Sequence, residues 1–222
     1  MKKIIKNLEP RSLVQHRTQP YASYDNLPIG LKDELRNNLL KEQGYICCYC
    51  MKRIYELSDH MKIEHFKCQE NYKNLQLTYS NLLGACKGNE GQQKHLQTCD
   101  TRKGKNDLTI NPLSNNPNCE TLFKYNANGE IFSINGDDEI EQQISEVLNL
   151  NMQMLKENRK QVFIAVQEKV ESESRKLTTR SLKKRYFEYE RDKWLTKDGT
   201  GKFKEYCMVA VYYLNKKIKA NS

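Results

Sequence analysis

The chain has 222 residues, of which 37% are hydrophobic and 29% are charged, and its formal net charge is +9. A mean hydropathy of −0.86, with no apolar run approaching the ~18 residues of a membrane span, excludes an integral membrane protein. The basic start carries no apolar segment of a secretory signal, and paired cysteines in a reducing compartment indicate metal binding rather than disulfides. We therefore expect a soluble cytoplasmic protein.

Residues 1–44 are predicted to form an N-terminal basic arm followed by a helix. The helix is expected over about Leu31–Gln43, where leucine recurs at every fourth position, and Gly44 stands where a helix would end. His16 and His95 are expected to be surface residues.

Residues 45–113 hold most of the residues with metal-binding or catalytic chemistry. Four thiolates satisfy the tetrahedral preference of Zn²⁺ in a closed structural site, which stabilises a module with little core of its own. The expected ligands are Cys47, Cys50, Cys86 and Cys99. The first two have the Cys-x-x-Cys spacing of a zinc knuckle, whereas twelve residues separate the last two. Cys48 and Cys68 remain rival ligands.

The same stretch is predicted to contain two short strands, Met61–Phe66 and Asn74–Tyr79, between polar loops. A Gly/Gln-rich loop, Lys87–Gln97, precedes the last zinc ligand, and Asn111-Pro112 marks a plausible boundary.

A set of residues suited to phosphodiester hydrolysis lies between the cysteines. Two carboxylates, Glu64 and Asp100, could hold a hard cation such as Mg²⁺ or Mn²⁺. The imidazole of His65 has a pKa suited to deprotonating water, and Lys103 could add positive charge beside the phosphate. Neighbouring residues of a strand point to opposite faces, so a local bend must bring the Glu-His pair to one site. Asn81 could simply cap a helix.

A second acidic-histidine pair, Asp59-His60, competes with Glu64-His65 for the catalytic role. The second pair is preferred because Ile63 and Phe66 give it an apolar strand context, whereas the first lies in a polar turn.

Residues 114–222 are predicted to contain a hairpin and several helices. Asn128-Gly129 is a strong hairpin signal between two strand-like runs, Leu122–Tyr125 and Ile131–Ile134. Two apolar stripes at helical spacing follow, and two further helices are expected at about Leu182–Leu195 and Phe203–Lys217. The apolar positions of the two stripes are Ile140, Ile144, Val147 and Leu148, and then Leu155, Val162, Phe163, Val166 and Val170.

The positive charge is concentrated at the C-terminal end. Residues 175–222 hold 14 basic and five acidic residues, which accounts for the whole net charge. This basic region favours nucleic acid as a partner, or it is a solvated helix face. Aromatic residues between the charges either stack on bases or pack against neighbours and a partner protein. Candidate nucleic-acid contacts are Arg102, Lys105, Lys183, Lys184 and Arg185.

The order of motifs resembles the ββα-metal fold of HNH endonucleases. The motifs are Cys47-x-x-Cys50, Glu64-His65, Asn81, Cys86, and Cys99-Asp100-x-x-Lys103-Gly104. The resemblance implies that His65 is the general base, that Glu64 and Asp100 bind the catalytic metal, and that Asn81 stabilises the loop that positions the histidine. Glu64 and Asp100 depart from the commoner Asp and His or Asn of that family.

A closer resemblance is to the HNH subunit of Septu anti-phage systems, with related nucleases beside some retrons. It rests on Ile63–Phe66, Asn81–Cys86 and Cys99–Gly104, and on Val147–Asn151 followed by Leu155 and Arg159. In this group an aspartate at position 100 and a long loop before Cys99 are normal. The resemblance implies an ABC-type ATPase partner, and it allows a retron reverse transcriptase and its DNA as further partners.

These observations predict an α+β fold in which a small zinc-stapled ββα-metal core is embedded in a mainly helical chain. The leading hypothesis is a metal-dependent HNH endonuclease, with DNA favoured, acting as a defence effector. The alternatives are an effector that cleaves RNA, for example tRNA, in a retron system, and a catalytically silent zinc-stabilised module that binds nucleic acid or the ATPase.

Overall fold

The computed structural model describes residues 1–57 and 59–222, which form an α+β fold that is mainly helical. Strands β1 (Met61–His65) and β2 (Leu82–Cys86) form one antiparallel pair, and β3 (Phe123–Tyr125) and β4 (Ile131–Ser133) form another. The α-helices of the described residues are α1 (Arg11–Arg17), α2 (Ile29–Gln43), α3 (Cys99–Lys103), α4 (Asp138–Gln142), α5 (Gln153–Ser174), α6 (Arg180–Leu195) and α7 (Cys207–Lys219). The predicted fold class is confirmed.

Helix α2 confirms the predicted N-terminal helix and supports the strand pair β1–β2. Its leucines at positions 31, 35 and 39 are buried in one cluster with Leu82 of β2. Burying one such side chain contributes about 1.5–3 kcal/mol to folding. The helix ends at Gly44, which has a φ of 60°. A Cβ atom at this position would lie 2.4 Å from the ring of Phe203, so only glycine fits there without displacement.

The last residue of α2 connects the helix directly to the sheet. The side-chain amide of Gln43 donates to the carbonyl of Gly84 at 2.8 Å, and its oxygen accepts from the Gly84 amide at 2.6 Å. A third bond runs to the carbonyl of Ile46 at 2.9 Å. Because all three contacts are buried, Gln43 fixes the zinc-knuckle segment and β2 relative to the helix.

The predicted strand Asn74–Tyr79 is wrong, and the partner of β1 is β2. A 3₁₀ turn occupies Lys73–Leu75 and a second one occupies Tyr79–Asn81. Leu77 and Tyr79 are buried against the helical cluster of α1 and α2, which explains their apolar character without a strand. All five residues of β2 are buried, and such a short apolar run lacks the alternation that identifies a strand.

The predicted hairpin and helices of the C-terminal half are confirmed, with one shift. Asp137 caps α4 by accepting from the amide of Ile140 at 2.9 Å, and Thr179 caps α6. A π-helical turn, Gln143–Val147, extends α4. The last helix starts at position 207 instead of 203, because Phe203 hydrogen-bonds to the carbonyl of Gly44 and Tyr206 adopts a φ of 53°.

His16 was expected at the surface, and that prediction is wrong. Its side chain is buried, and its Nε2 lies 3.1 Å from Oδ1 of Asn26 and 3.3 Å from the carbonyl of Ser23. The ring joins α1 to the following turn, a polar role that the sequence pattern does not reveal. His95 is exposed, as expected.

The main hydrophobic cluster draws residues from all three predicted stretches. Met1 and Leu40 come from the first, the zinc knuckle and β1–β2 from the second, and α5 and α7 from the third. The strand pair and the knuckle are thus held by packing from both ends of the chain. None of the helices in the described part of the chain combines the length and apolar character that a membrane crossing requires.

Candidate active site

The four cysteines predicted to bind zinc lie together. Their sulfur atoms are all within 4.8 Å of one another, and all four residues, Cys47, Cys50, Cys86 and Cys99, are buried. A tetrahedral site with Zn–S bonds of ~2.3 Å has S–S edges of about 3.8 Å. The Sγ atoms of Cys50 and Cys86 are 3.8 Å apart, so the cluster could hold a metal such as zinc. Among the described residues, the rival ligands Cys48 and Cys68 lie outside this cluster.

One thiol of the cluster favours the thiolate form, whereas hydrogen bonds with Cys47 raise the pKa of the Cys50 and Cys99 thiols well above their usual value. Burial would raise the pKa of the Cys47 thiol, but hydrogen bonds from the surrounding thiols outweigh it and lower the pKa well below its usual value. A thiolate is the form of cysteine that ligates metal. The donor set therefore fits Zn²⁺.

The long spacing before Cys99 is closed by a loop that folds back on itself. The amide of Thr98 donates to the carbonyl of Gly88 at 2.9 Å, which joins the two ends of the loop beside the last two cysteines. Gly88 has a φ of 54°, and a Cβ atom there would lie 2.1 Å from the carbonyl oxygen of Thr98. Glycine at this position permits the close approach, and the twelve intervening residues do not separate the two ligands.

Glu64 lies in the interior of the strand pair β1–β2. It is 2% exposed, and its Oε1 accepts from the hydroxyl of Tyr49 at 2.7 Å and from Nζ of Lys103 at 2.8 Å. Tyr49 stands inside the zinc knuckle. The Cys47–Cys50 segment, which would hold the metal, therefore also positions the Glu64 carboxylate through Tyr49.

Asp100, at the start of α3, is the second carboxylate of the centre. Burial, together with a hydrogen bond to Asp100, raises the pKa of Glu64 well above its usual range. Burial opposes ionisation of Asp100 as well, but the hydrogen bond with Glu64 and the ammonium of Lys62 lower its pKa below the usual value. When two carboxyl groups are adjacent, one of them keeps a proton unless a cation lies between them. This pair of hard oxygen donors fits a divalent ion such as Mg²⁺ or Mn²⁺.

Lys103 was expected beside the scissile phosphate, but its ammonium lies inside the protein. The residue is 1% exposed, and Nζ also donates to the backbone carbonyl of His65 at 3.1 Å. We therefore infer that Lys103 acts on Glu64 rather than on the phosphate. Its ammonium offsets negative charge at the buried carboxylate and links α3 to the end of β1.

His65 occupies the last position of β1, and its ring has a defined orientation. Nε2 lies 3.0 Å from the carbonyl oxygen of Gln76, and the ring packs edge-on against Tyr24 with centroids 4.5 Å apart. Because a carbonyl only accepts, Nε2 carries the proton and Nδ1 retains its lone pair. Burial lowers the pKa of His65, although the hydrogen bond to Gln76 opposes this. The neutral form, which can accept a proton, is thereby favoured.

Asn81 holds the chain that follows the histidine. Its Oδ1 accepts from the amide of Lys67 at 2.8 Å, and its Nδ2 donates to the carbonyls of Lys67 at 3.0 Å and Leu75 at 3.2 Å. Its backbone carbonyl accepts from Phe66 at 2.9 Å. Asn81 precedes β2 in a 3₁₀ turn and begins no α-helix, so these bonds match the loop-stabilising role implied by the family pattern.

Glu64, His65, Asp100 and Lys103 line one cleft of about 460 Å³ on the β1–β2–α3 unit. The Glu-His pair therefore faces a common space, as expected. Of the five candidate nucleic-acid contacts, only Lys105 lines this cleft. The guanidinium of Arg102 donates to the carbonyls of Glu146 and Lys94, and Lys183, Lys184 and Arg185 lie on α6.

Three residues of this centre were missed from the sequence. Arg36 and Lys62 line the cleft, and Tyr49 contacts Glu64. Lys62 could have been found, because residues two apart on a strand share a face and Glu64 was already a candidate. Nothing in the spacing of the knuckle or of α2 indicates the other two.

The rival pair Asp59-His60 lies elsewhere. The side chain of His60 is 50% exposed, and its ring lies beside Tyr55 with centroids 5.5 Å apart. It lines a different cavity, together with Lys52 and Arg53. Among the described residues, the pair therefore does not join the Glu64–Asp100 centre.

Replacing Lys103 should lower the stability of the protein. Lys103→Met leaves the negative charge of the buried Glu64–Asp100 pair without this cation, and breaking a buried pair in this way costs about 3–5 kcal/mol. Urea unfolding monitored by circular dichroism measures the change. Lys105→Met is the matched control, because its pair with Glu70 is 65% and 62% exposed. The control should leave the unfolding midpoint unchanged, and equal effects of the two variants would contradict the buried role of Lys103.

Replacing Tyr49 should change the centre without unfolding the protein. Tyr49→Phe removes one buried hydrogen bond to Glu64, worth about 0.5–1.5 kcal/mol, and keeps the ring in its packing. We expect weaker binding of Mn²⁺, measured by calorimetry. Tyr55→Phe, at a side chain that is 52% exposed, should bind Mn²⁺ as the unmodified protein does. Unchanged Mn²⁺ affinity in Tyr49→Phe would show that the hydroxyl does not position Glu64.

Comparison with known proteins places this centre in a family context. A protein of Vibrio cholerae serotype O1 biovar El Tor, named as the predicted HNH endonuclease of retron Vc95, is 31% identical over 170 residues. That alignment covers 72% of this chain and 80% of the relative. The Septu protein PtuB of Bacillus thuringiensis is 32% identical over 114 residues, which cover 51% of this chain and 42% of PtuB. No family model matches the chain.

Proposed function

The chain belongs to the family of HNH endonucleases related to retron and Septu defence, and on that premise we propose that it is the metal-dependent nuclease effector of an anti-phage defence system. The proposed reaction is hydrolysis of phosphodiester bonds in nucleic acid. The observation that carries it is the geometry of His65: Nε2 is fixed on the carbonyl of Gln76, and Nδ1 retains its lone pair in the cleft that holds Glu64 and Asp100.

In this mechanism His65 acts as the general base. Its Nδ1 removes a proton from a water molecule as the water oxygen attacks phosphorus and the bond from phosphorus to the leaving sugar oxygen breaks. The leaving oxygen takes up a proton from solvent, and the imidazolium returns its proton to solvent. The backbone carbonyl of Gln76 and the ring of Tyr24 hold the imidazole in position. Asn81 maintains the loop that supplies that carbonyl.

Glu64 and Asp100 are the proposed metal ligands. A bound divalent cation would stabilise the negative charge that develops on the scissile phosphate and its leaving oxygen. Tyr49 and Lys103 position Glu64, and Lys62 neutralises Asp100 from 3.1 Å. The four-cysteine cluster is proposed to hold structural zinc that fixes β2 and α3, and with them both carboxylates.

DNA is the proposed substrate, and RNA is the competing one. Arg36, Lys62 and Lys105 supply positive charge around the cleft, which suits the phosphates of either polymer. Strands of identical sequence, one DNA and one RNA, distinguish the two when each is 5′-labelled and incubated with the zinc-loaded protein and Mn²⁺. Faster cleavage of DNA is expected, and faster cleavage of RNA, including tRNA, would overturn the substrate assignment.

An ABC-type ATPase is the proposed partner, with a retron reverse transcriptase and its DNA as further components. Helix α6 offers a contact surface: Tyr189 is 60% exposed and Leu182 is 44% exposed, among basic residues. A tagged copy of the chain, co-expressed with the ABC-type ATPase proposed as its partner, should retain the ATPase through size-exclusion chromatography. Leu182→Asp should weaken that complex. Separate elution of the two unmodified proteins would contradict the partner.

A further inference from the structure

A second cavity lies outside the candidate active site, between the hairpin β3–β4 and helices α5 and α7. Its volume is about 630 Å³, within the ~300–1,000 Å³ of small-molecule sites. The lining is unusual in composition. It combines aromatic rings with lysines and, among the described residues, includes no carboxylate; the rings are Tyr125, Phe132, Phe163, Tyr212 and Tyr213, and the lysines are Lys124, Lys216 and Lys217.

The hairpin presents one of its faces to this cavity. Lys124 and Phe132 are directly opposite each other in the strand pairing, so their side chains share a face. Of their strand neighbours, Ile131 is buried outside the lining, whereas the buried Tyr125 also borders the cavity. The half-buried lysine-phenylalanine pair is thus left to line the cavity.

Helix α7 supplies the facing wall. Nζ of Lys217 lies 5.3 Å from the ring centroid of Tyr213, and Nζ of Lys216 lies 5.8 Å from that of Tyr212. These ammonium groups are placed over aromatic rings, where a weak attraction holds them. They remain available to an anion.

Tyr213 carries a second, independent sign of a ligand. The residue is 8% exposed, and its hydroxyl is buried without a hydrogen-bond partner among the described residues. A buried hydroxyl normally has a partner, because leaving one unmade is costly. Its ring packs against Phe163 with centroids 5.1 Å apart, so packing explains the ring and not the hydroxyl.

We propose that this cavity binds a nucleotide, with the base against the aromatic rings and the phosphate on the lysines. Every base offers a flat π-face to an aromatic side chain, and lysine is a common phosphate contact. The hydroxyl of Tyr213 is buried, so the ring must shift toward the ligand before this hydroxyl can donate a hydrogen bond to it. The site is separate from the nuclease cleft, with which it shares no lining residue.

The nucleotide has two sources, a free mononucleotide or one residue of a strand. AMP and single-stranded (dA)10 serve as probes of the full zinc-loaded chain, with affinities measured by calorimetry in the absence of added divalent cations. Equal affinities for both probes identify a free nucleotide as the ligand. Tighter binding of (dA)10, with the same sensitivity to the substitutions below, identifies a strand.

Two substitutions test the site, and one controls for charge. Lys217→Glu should weaken AMP binding at least about tenfold, since it replaces a phosphate contact with a repelling charge. Tyr213→Phe should weaken it by about threefold to tenfold, as expected for one lost hydrogen bond, with an unchanged melting temperature. Lys41→Glu makes the same charge change at an exposed position of α2 and should leave the affinity within about twofold.

Three results would overturn the proposal. The first is equal behaviour of Lys217→Glu and Lys41→Glu. The second is competition by inorganic phosphate as effective as that by AMP, which would show that the base contributes nothing. The third is a dimer of the chain in sedimentation velocity that Lys217→Glu dissociates, with no nucleotide bound. Because no arm measures cleavage, failure here is distinct from failure of the proposed nuclease function.

Discussion

His65→Ala should reduce phosphodiester cleavage by about 10²–10⁴-fold, the usual contribution of a general base. The substitution removes the imidazole that lies 3.0 Å from the carbonyl of Gln76 and faces the carboxylate pair. Single-turnover cleavage of a labelled strand gives the rate, and circular dichroism with zinc quantitation shows whether the protein remains folded. Since the ring lies at the edge of the strand pair, the variant should keep its zinc.

His60→Ala is the matched control for this experiment. It removes a histidine from the other acidic-histidine pair, at a side chain that is 50% exposed in a different cavity. Its cleavage rate should equal that of the unmodified protein. Loss of cleavage in His60→Ala with full activity in His65→Ala would reverse the assignment of the base.

Loss of zinc should unfold the centre completely. Structural zinc binding is worth about 10–16 kcal/mol in small modules, which is as large as the whole stability of a typical domain. Cys50→Ser removes one of four buried thiolates, and we expect a protein without stoichiometric zinc and without a cooperative unfolding transition. Mass spectrometry under native conditions and thermal melting measure both.

Cys48→Ser and Cys68→Ser provide the controls for the zinc prediction. Both cysteines are buried, but neither belongs to the four-sulfur cluster. Each variant should retain one zinc per chain. If either loses zinc while Cys50→Ser retains it, the ligand set is wrong.

The main residues of the candidate centre could be predicted because their order along the chain is specific. The four cysteines lie together, and the Glu64-His65 pair and Asp100 line one cleft, in the groups that the motif order indicated. The residue types that bind metal, such as cysteine, aspartate and glutamate, can be identified directly in the sequence. The hairpin at Gly129 and helix α5 were predictable for a similar reason, since a turn signal and a helical repeat are local.

The errors concern features that tertiary packing decides. The partner of β1 was misplaced because the apolar run of β2 has no alternation, whereas Leu77 and Tyr79 owe their burial to helices α1 and α2. Lys103 was expected beside the scissile phosphate, and its pairing with the buried Glu64 explains why its ammonium lies in the interior instead.

Some contacts could not be predicted at all. Tyr49 reaches Glu64 because the zinc knuckle folds onto β1, and Gln43 fixes Gly84 across a long interval of sequence. Neither residue differs by type or spacing from an ordinary surface residue. Contacts of this kind depend on the three-dimensional approach of separate segments, about which a single sequence gives no local signal.

The most direct measurement of the central claim is restoration of cleavage by a divalent cation in protein that retains its zinc. The chain, purified with the proposed ATPase partner and treated with enough EDTA to remove loosely bound ions, should contain one zinc and show no cleavage. Addition of Mg²⁺ or Mn²⁺ should restore cleavage of a labelled strand, and Asp100→Ala should not respond. Tight nucleic-acid or ATPase binding with no cleavage in either cation would contradict the nuclease assignment and support a catalytically silent binding module.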